Sequence, residues 1–338
     1  MSMPTPDDLT LPEINRLFPD SGKAREYLEG LRWPDGPVCP HCENSQGAKI
    51  WKITASKEKK IREGLHHCGC CDRHFTVTIG TIFEDSHIPL HKWLVAWYLF
   101  ATAKKGISAL QMQRTLGLGS YRTAWFMMHR IRHVVTTESF SKPLTGTIEV
   151  DETYVGGKIL GKGHKAGFDN KVPVVSLVER GGDKRSMVMP KVTAKNLREV
   201  VEKNVEKYSF VYTDEHGGYK NLKKGFQHAS VNHREKEYAR KTPSGRTVST
   251  NTVESSFSLI KRAIYGSFHH VSRKHLPRYL AEFDHKWNTR KEKDGARMVD
   301  GLMKVAGKRM TYKPAKAALP DAVPCVSIGD GEEDHIPF

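Results

Sequence analysis

The chain has 338 residues, of which 54 are Lys or Arg and 38 are Asp or Glu, so its formal net charge is +16 at pH 7. This length allows two or three domains with separate cores, and no apolar stretch approaches the length of a transmembrane helix. A chain this basic most often has a polyanionic partner, which favours a nucleic acid; a merely cationic surface and a ribosome-associated protein are the alternatives.

Residues 1–35 are predicted to form an N-terminal helical segment. Ser21 is expected to cap a helix whose apolar face carries Ala24, Leu28 and Leu31. The opening residues lack the basic stretch and apolar run of a secretory signal. We therefore expect a cytoplasmic protein, in which cysteines stay reduced and clustered cysteines more often bind metal than form disulfides.

Residues 36–85 contain five of the six cysteines and are predicted to form a zinc ribbon that ends in a short strand at Phe75–Ile79. Zinc prefers four tetrahedral ligands, and a site filled by four thiolates is structural because no position stays open for water. Four ordinary reduced cysteines, or a pairing of Cys68 with Cys70, are the alternatives. The predicted ligands of Zn²⁺ come from two C-x-x-C pairs: Cys39, Cys42, Cys68 and Cys71.

A helix-turn-helix DNA-binding domain is predicted over residues 88–138. Two segments with helical periodicity, Ser108–Thr115 and Ser120–His133, are separated by a tight Gly117–Gly119 turn. A three-helix packing unit with a solvated basic face is the alternative. On the last helix, four side chains are predicted to meet phosphates or base edges: Tyr121, Arg122, Arg130 and Arg132.

A mixed α/β domain is predicted over residues 144–295, where strand and helix patterns alternate. A final segment, residues 296–338, is interpreted as a tail that changes from basic to acidic and is disordered at its end. The expected strands are Ile148–Val155, Val172–Glu179, Ser186–Val192, Phe210–Thr213 and a weak, parallel Gln227–Val231. The expected helices run from a Thr193 cap to Val205, through Asn251–Ala263, and through Leu276–Trp287.

Three carboxylates in this domain form a candidate metal site. Asp151 lies within a strand, Asp214 directly follows one, and Glu254 lies on a helix. Mg²⁺ prefers carboxylate oxygens, and two such ions can activate the attacking oxygen and stabilise the leaving oxygen in phosphoryl transfer. Two Mg²⁺ per active site are therefore predicted, with Mn²⁺ as a possible substitute.

Two further residues share the helix face of Glu254. Lys261 follows it by seven residues and Asn251 precedes it by three, so Lys261 is predicted to hold a DNA phosphate and Asn251 to contact metal or phosphate. Most acidic residues are solvated surface charges, and three others compete for the same roles. These competitors are Glu149, Glu152 and Glu215.

The order of these features resembles bacterial insertion-sequence transposases of the DDE type with an N-terminal zinc ribbon. The resemblance covers about residues 20–290. The strings that carry it include Trp33–Cys42, Gly80–Asp85, Lys105–Ser108, Val150–Gly157, Thr213–Tyr219, Asn251–Phe257 and His269–Ser272.

The resemblance implies a multi-domain α/β protein whose RNase H-like catalytic domain cuts DNA at terminal inverted repeats. A water first cuts the strand, and the freed 3′-hydroxyl then attacks target DNA. It also implies binding to double-stranded DNA at the element ends and the target, a homo-oligomer on DNA, and a nucleoid-associated location. Some relatives use Asn as the third ligand, so Asn251 stays an alternative to Glu254, and His233 is an accessory or structural residue.

Two other functions are compatible with these motifs. A non-catalytic DNA-binding regulator would use the zinc ribbon and helix-turn-helix, but it leaves the chain after Pro143 without a role. An RNase H-type nuclease acting on hybrids would share the acids but explains neither DNA-binding motif.

Overall fold

A computed structural model describes residues 9–43, 45, 49–136, 142–156, 171–312 and 326–327. Backbone contacts divide the chain into two compact units, which are described separately. The first takes residues from 1–102, 109–134 and 292–338, and the second from 103–108 and 135–291. Most of the tail that was predicted to end in disorder lies outside the described residues.

The helices and strands are numbered in chain order. The helices are α1 Leu11–Leu17, α2 Ser21–Arg32, α3 Leu90–Thr102, α4 Ala109–Leu116, α5 Tyr121–Thr136, α6 Ala194–Asn204, α7 Asn251–Ala263, α8 Leu276–Asn288 and α9 Asp294–Met303. The strands are β1 Ile50–Lys52, β2 His66–Cys68, β3 Arg73–Phe75, β4 Thr147–Val155, β5 Val172–Glu179, β6 Lys184–Val188, β7 Phe210–Thr213, β8 Gln227–Ser230, β9 Ala239–Lys241, β10 Thr247–Ser249, β11 Met310–Thr311 and β12 Val326–Ser327. Short 3₁₀ turns at Gly217–Lys224 and His233–Glu235 and a π-helical turn at Ile264–Phe268 complete the described elements.

The first unit contains a three-stranded antiparallel sheet in the order β1-β2-β3. On its inner face His66 stacks on Phe75 with ring centroids 5.4 Å apart, and both rings pack against Trp33. The predicted strand Phe75–Ile79 is wrong beyond its first residue. The hydroxyls of Thr76 and Thr78 lie 2.9 Å apart in a turn, and such local side-chain bonds compete with strand pairing.

The N-cap of α2 lies one residue earlier than predicted. Asp20 is the N-cap, since its extended backbone lets its carboxylate accept the amide N–H of Lys23 at 2.9 Å. Ser21 is already helical, and its hydroxyl accepts the amide N–H of Leu90 at 3.1 Å instead. The predicted apolar face is confirmed at Ala24 and Leu28, which are fully buried.

The helices α3 and α9 pack against each other in the first unit. Gly301 of α9 lies so close to Trp97 of α3 that a Cβ there would come within 2.4 Å of the indole. Met298, Val299 and Leu302 of α9 are buried, so residues 296–303 belong to the core and their interpretation as part of a tail is wrong. Among the described helices, none is both long and apolar enough to cross a membrane.

The second unit is built on a five-stranded mixed sheet in the order β6-β5-β4-β7-β8. The pairings β6-β5 and β5-β4 are antiparallel, whereas β4-β7 and β7-β8 are parallel. The predicted strands are confirmed except at Ser186–Val192, where β6 lies earlier in the chain. Lys184 opens β6 although it is charged, because it is buried beside Asp284 with 3.5 Å between Nζ and Oδ1.

Helices cover both faces of this sheet. Leu197 and Val201 of α6 pack against Ile148 and Val150 on one face. Thr193 caps α6 as predicted, accepting the amide N–H of Asn196 at 3.2 Å. Apolar residues of α7 and α8 pack on the other face, including Val253, Phe257, Leu280 and Phe283. Side chains alternate along β4, so Asp151 lies on the face that α7 covers.

Candidate active site and zinc site

The four predicted zinc ligands meet at one point of the first unit. The Sγ atoms of Cys39 and Cys71 are 3.7 Å apart, as are those of Cys42 and Cys68. All four Sγ atoms lie within 4.8 Å of one another, a grouping that no other set of His, Cys, Asp and Glu achieves in the described parts of the chain. Because thiolates at this spacing suit tetrahedral coordination, the cluster fits a structural Zn²⁺, and the exposed Cys70 lies outside it.

The strands β4 and β7 bring two of the candidate acids to the same region. Glu149 of β4 pairs in parallel with Tyr212 of β7, and the same register continued by two residues sets Asp151 opposite Asp214. Parallel partners point to the same face of a sheet. The Oδ1 atom of Asp214 accepts the amide N–H of His216 at 3.0 Å, which orients this carboxylate where β7 ends.

The carboxyl of Asp151 lies in an unfavourable electrostatic environment. Its pKa is raised to about 7, mainly by burial, and the negative charges of Asp214, Glu152 and Glu254 contribute to the rise. The amide N–H of Glu152 donates to Asp151 Oδ1 at 2.7 Å, which lowers the pKa and offsets part of this rise. The charges of Asp214 and Glu254 therefore act on the Asp151 carboxyl, which indicates that the three predicted acids lie in one region.

Glu254 lies in the first turn of α7 and is oriented by two neighbouring residues. Thr250 donates its hydroxyl to Glu254 Oε1 at 2.7 Å. His233 Nε2 lies 3.1 Å from the same oxygen and 3.0 Å from the Thr250 hydroxyl. The Glu254 side chain is 43% exposed, which leaves it accessible to a ligand. The structure thus places His233 beside a candidate acid.

Glu149 has a role that the sequence did not suggest. Its fully buried carboxylate accepts the amide N–H groups of Thr252 and Val253 at 2.7 and 3.1 Å, at the N-terminus of α7. It also accepts from the Thr252 hydroxyl at 3.0 Å and from Arg180 Nε at 2.7 Å. Arg180 in turn donates to the carbonyl oxygens of residues 247 and 249. A strand residue thereby caps the helix that carries Glu254.

The other two competing acids are also engaged by neighbouring groups. Glu152 accepts a hydrogen bond from the Tyr219 hydroxyl and lies 3.6 Å from His216 Nδ1. Burial is the main reason why the pKa of Glu152 is raised. Glu215 accepts the amide N–H of His233 at 3.0 Å. These contacts make Glu149 and Glu215 structural groups, whereas Glu152 borders the coupled acids from the opposite face of β4.

The other two candidate catalytic residues are exposed on α7. Asn251 is its first residue, and Lys261 lies in its last turn. At 1.5 Å per residue, Lys261 is about 10 Å from Glu254 along the helix axis. The lysine therefore shares a helix face with the acid without touching it, at a distance suited to a neighbouring phosphate.

The predicted DNA contacts on α5 require a correction. Arg130 and Arg132 are only 7% and 2% exposed, so neither faces solvent. Arg130 donates instead to the carbonyl oxygens of Ile82 and Glu84 at 2.8 and 3.1 Å. Buried residues surround this half of α5, which turns its side chains into the core. Tyr121 is half-buried and Arg122 is exposed, and both lie at the N-terminal end of the helix.

Comparisons with known proteins agree with this arrangement. Residues 143–288 match the family described as the ISXO2-like transposase domain, and residues 19–74 match the transposase zinc-ribbon domain. The chain thus contains two segments that are similar to transposase domains. It is 27% identical over 292 residues to a protein of Halobacterium salinarum described as "Uncharacterized protein in transposable element ISH50", a match that covers 79% of this chain and 91% of the relative.

The two family matches include the main candidate sites. The ISXO2-like transposase domain contains Asp151, Asp214 and Glu254, and the zinc-ribbon match contains all four clustered cysteines. The resemblance to insertion-sequence transposases is therefore confirmed at the level of the family. The helices α3, α4 and α5 lie between the two matches, so the helix-turn-helix stays a prediction.

Proposed function

We propose that the chain is the transposase of an insertion sequence, which binds terminal inverted repeats, cleaves a DNA strand and joins the freed end to target DNA. The observation that carries the proposal is the electrostatic coupling of Asp151 with Asp214 and Glu254 inside an ISXO2-like transposase domain. The proposal includes an RNase H-like fold for this domain, supported by its mixed sheet with helices on both faces. A purely regulatory DNA-binding protein would leave this domain without a role.

The coupled carboxylates suit a pair of Mg²⁺ ions, with Mn²⁺ as a substitute. Their donors are all hard oxygens, and a bound cation would offset the repulsion that raises the pKa of Asp151. Asp151, Asp214 and Glu254 would hold these ions. When bound, the ions supply Lewis-acid stabilisation of the attacking and leaving oxygens.

The surrounding residues position these acids and the DNA. Thr250 and His233 orient Glu254, while Glu149 holds the N-terminus of α7 against β4. Lys261 contacts a phosphate of the bound strand. Asn251 remains the alternative third ligand, because it is exposed at the start of the same helix.

The remaining parts of the proposal concern DNA binding outside the acids. Tyr121 and Arg122 contact double-stranded DNA from the N-terminal end of α5, the end that recognition helices present to base edges. The chain forms a homo-oligomer on the paired element ends in the nucleoid. The proposed domains are the helical segment 1–35, the zinc ribbon 36–85, the helix-turn-helix 88–138 and the catalytic domain 144–295.

The decisive experiment is a cleavage and joining assay with purified protein, Mg²⁺ and labelled duplexes that carry the inverted repeats flanking the gene. Asp151→Asn is expected to abolish both reactions while DNA binding stays largely intact, because the amide keeps the shape but loses the charge. Glu206→Gln, an exposed acid before β7, is the matched control and should retain activity. Full activity in Asp151→Asn would overturn the proposal.

The same assay distinguishes the two candidates for the third ligand. If Glu254 is the ligand, Glu254→Gln loses activity, whereas Asn251→Ala keeps most of it. The reverse pattern would assign the role to Asn251.

A further inference from the structure

The chain between β8 and α7 forms an exposed basic surface next to Glu254. We call residues 232–249 the hairpin segment; it comprises a short loop followed by the antiparallel pair β9-β10. All three side chains of β9 are exposed. The segment contains two Glu and five basic residues: Arg234, Lys236, Arg240, Lys241 and Arg246. Neither family match nor any residue proposed for catalysis accounts for this excess of positive charge.

Direct contacts connect the hairpin segment to the candidate active site. His233, at its start, lies 3.1 Å from Glu254 Oε1. The ring of Tyr238 lies 5.5 Å from the ring of His233, centroid to centroid. Tyr238 is nevertheless 58% exposed, whereas aromatic side chains usually bury most of their surface in the folded protein. His233 therefore lies between this exposed aromatic ring and Glu254, a candidate metal ligand.

Hydrogen bonds within the loop hold Tyr238 in this position. The amide N–H of Asn232 donates to Glu237 Oε2 at 3.0 Å, and the amide N–H of Glu237 donates to the Asn232 carbonyl at 3.0 Å. Lys236 adopts the left-handed conformation, with φ of 60°, that this tight loop requires. Val248 of β10 is fully buried against Tyr212 and anchors the hairpin to the sheet. The surface is thus presented by an ordered loop.

The five cations of this surface differ in their local contacts, and Arg246 lies over the ring of Phe210. Arg234 lies 3.4 Å from Glu215 and Arg240 lies 3.5 Å from Glu237, so nearby carboxylates compensate both in part. Among the described residues, no carboxylate lies within 4.0 Å of Lys236 or Lys241. Exposed ammonium groups that lack a partner within the protein are available to phosphates.

We propose that the hairpin segment is a DNA-contacting surface of the active site. Lys236 and Lys241 contact phosphates of the strand that reaches Glu254, and Tyr238 stacks on a base of that strand. Lysines next to an exposed aromatic ring are the combination that binds single-stranded DNA, and a two-stranded ribbon is narrow enough to follow a groove of the adjoining duplex. The inference rests on the proposed transposase function, since it takes Glu254 to be part of the site.

The test measures DNA affinity of the full-length protein at several salt concentrations. All variants carry Asp151→Asn, so that cleavage does not consume the probe, a mixed-sequence duplex with a single-stranded 3′ extension. Lys236→Gln with Lys241→Gln is expected to weaken binding about 10-fold and to reduce the slope of log K against log salt by about 1.8, the value for two lost phosphate contacts. Tyr238→Ala should weaken binding about 10-fold, whereas Tyr238→Phe should retain it.

Matched controls come from the end of the strands that is opposite to the candidate acids. Residues that precede β7 lie at its amino end, away from the acids that follow β7. Lys142→Gln with Lys207→Gln removes two exposed lysines that precede the parallel strands β4 and β7, and Tyr208→Ala removes a tyrosine that is 78% exposed. These controls should bind DNA like the parent protein, and all variants should unfold at the same temperature as the parent.

The possible outcomes separate this inference from the proposed function. Unchanged affinity and salt slope in the double lysine variant, or an equal loss in its control, would overturn the phosphate contacts. Parental affinity in Tyr238→Ala would overturn the stacking. If wild-type protein cleaves element ends while the hairpin variants bind normally, the proposed function stands and the DNA-contacting surface fails. If the variants lose binding but wild-type protein never cleaves, the surface stands and the function fails.

Discussion

At the scale of single residues, Asp151 shows how a functional group can oppose folding. Its pKa is raised from the ordinary value of 3.8 to about 7, so the folded protein holds this proton more tightly than the unfolded chain does. Stability therefore falls as the pH rises between these two values, and the loss is complete above about pH 7. Burial and like charges cause the rise, and a bound divalent cation would reverse it.

Asp151→Asn is therefore expected to stabilise the protein while it abolishes catalysis. In Mg²⁺-free buffer at pH 8 the variant should unfold several degrees above wild type, because the amide carries no buried charge. Thermal unfolding monitored by circular dichroism measures this difference, which should shrink at pH 4, where the wild-type carboxyl is largely protonated. An unfolding temperature below that of wild type at pH 8 would contradict the electrostatic account.

At the scale of elements, α7 depends on a residue from another part of the chain. Thr250 is its N-cap but forms no side-chain cap and donates to Glu254 instead, so Glu149 caps the helix from β4. The start of α7 is thereby fixed two residues along β4 from Asp151. This contact sets the geometry between acids on two elements that are about 100 residues apart in sequence.

Glu149→Ala is expected to destabilise the second unit by about 2–4 kcal/mol, because it removes a helix cap and leaves Arg180 without its carboxylate. Urea unfolding measures this loss, and cleavage activity should fall with it although Glu149 touches no substrate. Glu179→Ala removes a carboxylate at the end of the neighbouring strand and serves as the control. Equal stability of Glu149→Ala and wild type would show that α7 does not need this cap.

The zinc ribbon is expected to need a bound Zn²⁺ for stability, because each of its three strands has only three residues. Removing Zn²⁺ with a chelator, or changing Cys39→Ser, should unfold the β1-β2-β3 sheet and lower the unfolding temperature of the first unit. Cys70→Ser, at an exposed cysteine outside the cluster, should retain one equivalent of zinc, as measured by atomic absorption. Retention of zinc in Cys39→Ser would point to a different set of ligands.

The elements show what local sequence can and cannot predict. Four strands of the second unit and the helices α6, α7 and α8 follow from apolar periodicity and turn residues. Asp151 and Asp214 attract attention in the sequence because they lie on or directly after strands. The burial of Arg130 could not be predicted, since its partners lie 46 and 48 residues earlier in the chain. The role of Glu149 likewise depends on where α7 packs. Charged residues are expected to face solvent, and this expectation is wrong wherever a residue distant in sequence accepts or donates their hydrogen bonds.

At the scale of the whole molecule, the chain passes between its two units four times, at residues 102–103, 108–109, 134–135 and 291–292. The first unit is therefore built from three separate segments. Its last segment supplies α9, which packs on α3 through Gly301 and Trp97. The N-terminal segments alone do not contain the complete core of this unit.

A chain shortened to residue 291 should therefore have a destabilised first unit, since removing α9 exposes Trp97 and its neighbours. Limited proteolysis and tryptophan fluorescence during urea unfolding measure this effect. A chain shortened to residue 312 keeps α9 and, of the described elements, loses only the two-residue β12, so its first unit should be more stable than that of the chain ending at residue 291. Identical unfolding of the two shortened chains would show that α9 contributes little.

The return of α9 to the N-terminal unit has a consequence for how the protein is made. A ribosome synthesises α3 nearly 200 residues before it reaches α9, so the ribbon-bearing unit can complete its core only after the carboxylate-bearing unit has been translated. Translation that ends at a premature stop codon would yield an incomplete N-terminal unit, which proteases would remove. If the chain acts as proposed, a cell would thus rarely accumulate fragments that bind element ends without being able to cut them.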